Sequence, residues 1–269
     1  MSTRWLLSLT CLTLITPVLA QKKPVTLTYL ANEGALLRSG EHAVLIDAFV
    51  TQPYSIYAAL SPTTWQAMLA RKPPFQHIDL ALVSHRHRDH FQAQAAVAFL
   101  KEHPETTLLA SGDVYDDLAA DAGFAAINGQ VEQVLPEKGK KRIWQQGDLR
   151  VEILRIAHGG KRWRTLHNLG QVIHLGGQKI LHVGDADTDA VHYKPYAAEL
   201  TGIDIALVPF WFYSDVSGRQ LVSEVFKARH EVAVHIPPKD RQEIATRFRK
   251  HPKVVLYGDQ GAETVFPPP

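Results

Sequence analysis

Short apolar runs of strand character recur along the chain, and stretches with helical spacing follow them. Strands are expected at residues 25–30, 34–38, 43–46, 79–83, 107–110, 149–156, 170–175, 179–183, 204–208, 232–236 and 254–257. Apolar positions at intervals of three and four predict helices over 55–71, 91–102, 114–122, 193–200, 223–229 and 240–250. Strands come in runs in each half with helices after them, which predicts an α/β layered domain. A weak internal repeat sharpens this: the hairpin pattern of 34–47 resembles that of 170–185, and Ile78-Asp-Leu-Ala-Leu-Val-Ser-His85 resembles Ile203-Asp-Ile-Ala-Leu-Val-Pro-Phe210. Two such halves would fold face to face, each a mixed sheet ending in a polar loop with its helices outside.

The first twenty residues follow a different pattern. Arg4 precedes an apolar run from Trp5 to Ile15, then Pro17 and Val18-Leu19-Ala20, which reads as a secretory signal peptide cleaved after Ala20. The run is short for a membrane span and Pro17 interrupts it, so no stable membrane insertion is expected. This leaves residues 21–269 as a single domain, exported to the periplasm or secreted. The sole cysteine, Cys11, lies in the leader, so the exported chain would have neither disulfides nor a thiolate ligand or nucleophile. Lys and Arg number 29 against 27 Asp and Glu, a balance that points to no nucleic-acid or anionic-membrane partner. No pattern specifies an oligomeric state.

The chemistry concentrates in Ser84-His85-Arg86-His87-Arg88-Asp89-His90, which follows a strand and opens a helix. In an extended segment His85 and His87 point the same way, and Asp89 and His90 turn in where the helix begins. Packing has no use for His-x-His-x-Asp-His, whereas a cation selects clustered imidazoles and a carboxylate. Arg86 and Arg88 should point away, solvated or paired with carboxylates. Three strand ends could supply further ligands: His158 after 151–157, Asp185 after the bend allowed by Gly184, and His235 after 232–234. His167 competes with His158 for the same role. His174 and His182 fall inside expected strands and read as packed or surface residues.

In this order the motifs resemble the metallo-β-lactamase-fold superfamily across essentially the whole exported chain, its phosphodiesterase- and lactonase-like branch above all. The resemblance implies a four-layer αβ/βα sandwich with metals at the top edge of the paired sheets. Carried over by position, it gives His85, His87 and His158 to one metal and Asp89, His90 and His235 to a second. Asp185 would bridge them, Asp89 and Asp185 would serve catalysis, and Asp47 would orient the His-rich loop. Five histidines and two aspartates without thiolate suit two divalent ions, zinc best, with manganese or iron as alternatives. The activity implied is hydrolysis of a small-molecule phosphodiester, lactone or similar ester by metal-activated water. A periplasmic β-lactam hydrolase and a noncatalytic metal-binding protein are the competing readings. Trp163, in Lys161-Arg162-Trp163-Arg164, and Trp211 and Tyr213, in Trp211-Phe212-Tyr213, are candidates for substrate binding, though both segments could equally be solvated loop or sheet cover.

Overall fold

The computed structural model describes residues 22–269, and the expected signal peptide and Cys11 lie outside the described residues. In chain order the strands are β1 (Val25–Ala31), β2 (Gly34–Ser39), β3 (His42–Ile46), β4 (Leu80–Leu82), β5 (Thr107–Ala110) and β6 (Val131–Gln133), then β7 (Lys141–Gln146), β8 (Leu149–Arg155), β9 (Leu169–Leu175), β10 (Gln178–His182), β11 (Ile205–Pro209), β12 (His230–Val234), β13 (Val254–Leu256) and β14 (Glu263–Phe266). They form two seven-stranded sheets, ordered β14-β1-β2-β3-β4-β5-β6 and β13-β12-β11-β10-β9-β8-β7. Both sheets are mixed, each with three antiparallel pairings on one side and three parallel ones on the other.

Strands buried on both faces read as continuous apolar runs, and the side-chain period of two sorts them between layers. Leu37, Val44, Ile46, Leu80 and Leu82 join Val151, Ile173, Ile180 and Leu207 in the core between the sheets. Their neighbours Leu36, Leu45, Ala81 and Val83 face α1 (Pro62–Leu69), α2 (Ala93–Glu102) and α3 (Gly112–Ala119). Leu181, Ala206 and Val208 pack against the helical layer of the second sheet, which holds α4 (Trp211–Ser214), α5 (Val216–Gln220), a π-helical turn (Leu221–Phe226) and α6 (Arg241–Phe248). The result is the expected four-layer αβ/βα sandwich. No described helix is long and apolar enough to cross a membrane.

The repeat read from the sequence has a counterpart in the backbone. Asp79 Oδ2 accepts the N–H of Ala43 at 2.8 Å, and Asp204 Oδ2 accepts that of Lys179 at 2.9 Å. In each half the same aspartate's N–H bonds the carbonyl of that partner, Ala43 or Lys179, and its C=O takes the N–H of the next parallel strand, Thr107 or His230. One short Ile-Asp motif thus fixes hairpin to crossover strand in both sheets.

The helices are shorter than their patterns suggest. The expected helix over 55–71 begins only at Pro62, where the Ser61 side chain caps Thr64 N–H and proline occupies the first turn. Within the helix expected over 193–200 only a single 3₁₀ turn forms, Lys194–Tyr196, preceded by another at Ala190–His192. Three strands carry little hydrophobic signal, namely β6, β7 and β14, because each lies at or next to a sheet edge with much of its surface wet.

Candidate metal centre

The parallel strands of both sheets end at one crest, and the loops leaving them carry the site. Three residues there take left-handed backbone angles without being glycine: Asn32 (φ 52°), Asp47 (φ 42°) and His235 (φ 62°). Each such conformation costs on the order of 1 kcal/mol, and here it turns the chain sharply where a strand ends. Gly184 (φ 57°) achieves the same turn before Asp185. A Cβ at Gly184 would lie 2.6 Å from Asn168 Oδ1 and 2.7 Å from Ser84 Cβ, so only glycine lets the two halves meet.

Two adjacent groups of side chains result. His85, His87, His158 and Asp185 each offer a ligand atom within 4.8 Å of the others, and so do Asp89, His90 and His235. Asp185 stands between them. Its Oδ2 lies 3.8 Å from His85 Nε2 and 3.5 Å from His158 Nε2. Its Oδ1 lies 3.3 Å from the Nε2 atoms of both His90 and His235. Asp89 Oδ2 closes the second group at 3.1 Å from His235 Nε2.

Hydrogen bonds at the far side of each ring decide which nitrogen faces the centre. The Ser84 hydroxyl donates to Asp47 Oδ2 at 2.5 Å and therefore accepts from His85 Nδ1 at 3.0 Å. Asp47 Oδ2 also accepts from His90 Nδ1 at 2.8 Å, and its Oδ1 takes the Ser84 backbone N–H at 2.7 Å. His158 Nδ1 donates to the Gly159 carbonyl at 2.6 Å. The Nε2 atoms of His85, His90 and His158 are thereby turned inward. Buried His90 Nε2, His158 Nε2, His235 Nε2 and Asp185 Oδ1 make no hydrogen bond among the described residues. Burying unpaired polar atoms of this kind is costly, and a divalent cation that displaces any Nε2 proton would satisfy them. The donor set, imidazole nitrogen and carboxylate oxygen, fits such ions.

Electrostatics divide the histidines. Burial, with help from the His90 charge, holds His85 well below the usual imidazole range. Burial and His158 bring His87 down to about 4. Burial also works against a charged His90 and His235, but Asp185 outweighs it, raising His90 well above its ordinary value and His235 to about 10. Burial would raise Asp185 itself, yet the facing His235 and His90 hold it well below the carboxylate range.

The structure brings His85, His87, Asp89, His90, His158, Asp185 and His235 together, with Asp47 behind them. His167 is not among them: its Nδ1 lies 3.0 Å from Asp113 Oδ1 in the first turn of α3. His158 is drawn in because its segment bonds the Asp185 segment, through Gly159 N–H to Asp185 O and Asp187 N–H to Ala157 O. Arg86 pairs with Asp117, and Arg88 donates to the Gln52 carbonyl at 2.7 Å, both away from the centre. Trp163 sets its ring edge-on to His87 at 4.6 Å, and Trp211 to His235 at 5.1 Å. Both line the two adjoining cavities over the centre, of about 430 and 380 Å³, Trp163 in each and Trp211 in the larger. Tyr213 does not reach them. It follows Trp211 on one helical turn, which points it inward against Phe248 at 4.9 Å, so its candidacy for substrate binding is withdrawn.

Several contributors gave no signal in the sequence. Tyr57 lies in the loop before α1, its ring 4.6 Å from His235, and burial together with Asp89 and Asp185 pushes its phenol up to about 12. Asn32 donates to the Asp89 carbonyl at 3.0 Å. Glu33 and His182, both fully buried, pair at 2.9 Å beneath His90 and Asp47, and Gln171 meets the other nitrogen of His182 at 2.8 Å. A histidine inside an apolar strand two residues before Gly-Asp was the one available hint.

Fold and site together define the class: a metal-dependent hydrolase of the metallo-β-lactamase architecture. The chain belongs to the beta-lactamase superfamily, whose domain model matches residues 42–256. No curated protein matches it. Among solved structures it is similar to Igni18, a metallo hydrolase from the archaeon Ignicoccus hospitalis (17% identity, 90% of this chain and 98% of that one, TM-score 0.62). It is also similar to an isothiocyanate hydrolase from Delia radicum gut bacteria (16%, 90% and 100%, 0.61) and to Zn²⁺-bound PqqB from Methylobacterium extorquens (15%, 90% and 99%, 0.55).

Proposed function

We propose that the protein is an exported dinuclear hydrolase of small phosphodiesters, lactones or similar esters. The observation that carries this reading is Asp185, whose two carboxylate oxygens each face a separate pair of imidazoles. His85, His87 and His158 would hold one ion, and Asp89, His90 and His235 the other, with Asp185 shared. Two divalent cations, zinc the best match to the donor set, would supply Lewis acidity and a water ionised near neutral pH. The zinc in the similar PqqB structure supports that choice of metal. Export rests on the Arg4-led apolar leader ending at Ala20.

The chain's own part is positioning. Asp47 and Ser84 fix the rings of His85 and His90, so little reorganisation is needed when charge develops in the reaction. Trp163, Trp211 and Tyr57 wall the cavities and would hold the apolar part of a substrate while limiting water. Arg162, its guanidinium 4.6 Å from the Trp163 ring, offers a cation at the rim for an anionic substrate.

The test is hydrolysis by zinc-loaded protein of a panel of phosphodiester, lactone, β-lactam and isothiocyanate substrates, with Asp89→Ala and His87→Ala beside the wild type. The expected result is turnover of an ester or phosphodiester, reduced at least a hundredfold in both variants. Turnover confined to the β-lactam or isothiocyanate arm, or undiminished in the variants, overturns it.

A further inference from the structure

A third cavity, of about 230 Å³, lies behind the loop that carries His158. The two faces of this loop serve different spaces: Ala157 lines the rear cavity, while His158 faces Asp185. Three cationic side chains from separate segments line it, Lys138 before β7, Arg155 at the end of β8 and Arg164 after Trp163. Neither Lys138 nor Arg155 pairs with a carboxylate among the described residues. Glu137, the acid nearest Lys138 in sequence, is turned to Lys140 at 3.4 Å.

Arg164 is partly engaged. It contacts Asp187 Oδ2 at 2.8 Å and His192 Nε2 at 2.8 Å. A guanidinium only donates, so His192 Nε2 accepts there. The walls are held in place, because the buried Tyr196 hydroxyl takes the Gly139 N–H at 3.0 Å and donates to the Arg155 carbonyl at 3.1 Å. Ile156, Leu166, Val191 and Pro195 supply apolar lining.

Three cations against one carboxylate, in a fixed recess with an apolar wall, suit a ligand with an anionic head and a short apolar body. We infer that the cavity walled by Lys138, Arg155 and Arg164 is a binding site for a small organic anion. It is separate from the metal centre but mechanically tied to it. Asp187, the partner of Arg164, also lines the larger cavity over the metals, and Trp163 sits one residue from Arg164. An anion that draws Arg164 toward the rear cavity loosens its hold on Asp187 and shifts the Trp163 rim.

Calorimetric titration of the purified, metal-loaded protein with phenyl phosphate and with inorganic phosphate tests this. Phenyl phosphate should bind with a Kd of millimolar or below and more tightly than inorganic phosphate. Arg155→Gln and, independently, Lys138→Gln should each weaken it at least fivefold, with unchanged metal content and an unchanged melting profile. Equal binding of the two probes overturns the organic-anion assignment. Undiminished phenyl phosphate binding in both variants places the anion on the metals and overturns the site, as does no binding by the wild type at 10 mM, the roughly millimolar limit of weak association.

Discussion

Asp47 Oδ2 lies 2.8 Å from His90 Nδ1, on the side of the ring away from Asp185. One buried carboxylate thus sets the direction of His90 Nε2 and, through Ser84, of His85 Nε2. Asp47→Asn would offer an amide in place of a charge and would no longer accept both bonds. The expected outcome is a folded protein whose metal affinity falls by about 10- to 100-fold, measured by competition with a chromophoric chelator. Unchanged affinity would mean that the rings are set by packing alone.

The metal-free charge state leads to a second expectation. Asp185 raises His235 to about 10 and shifts His90 in the same direction, and a ligand nitrogen must be free of its proton to bind a cation. Metal binding at pH 7 should therefore release a proton from His235. Release should decline as pH rises through about 10, where His235 is already neutral. Titrations of metal into apo-protein in buffers of different ionisation enthalpy give the number directly.

The motif His85-x-His87-x-Asp89-His90 was legible in the sequence because no packing rule asks for it, and the strand-end positions of His158, Asp185 and His235 were legible because apolar runs stop just before them. The paired sheets followed from the repeat, whose Asp79 and Asp204 play matching roles. What escaped depends on contacts distant in sequence. Nothing near Glu33 announces His182, 149 positions away, and Asn32 owes its role to a backbone turn that its residue type does not reveal. Tyr213 misled because three consecutive aromatics on a helical turn cannot all face one side.

Trp163 and Tyr213 separate substrate contact from packing. Trp163→Ala should raise KM several-fold and leave the melting temperature nearly unchanged, since the ring lines open cavities. Tyr213→Ala should leave KM unchanged and cost about 2–4 kcal/mol of stability, since the buried ring packs on Phe248. Steady-state kinetics with thermal denaturation distinguishes the two.

Glu152 predicts an acid limit to stability away from the site. Burial would raise its carboxyl, but Lys141, His174 and Arg150 bring it down from 4.5 to about 2. A depressed folded-state value stabilises the protein fully above the unfolded value, and that contribution is lost as pH falls from 4.5 toward 2. Glu152→Gln should cost on the order of 2 kcal/mol at pH 7 and flatten the pH dependence of stability in that window. Denaturant titrations at pH 3, 4, 5 and 7 measure it.

The central claim is a shared carboxylate between two cations, and metal counting addresses it most directly. Inductively coupled plasma analysis of purified protein reconstituted with zinc and freed of excess should find two ions per wild-type chain and at most one in Asp185→Asn. One ion or none in the wild type, or two retained in Asp185→Asn, would contradict it.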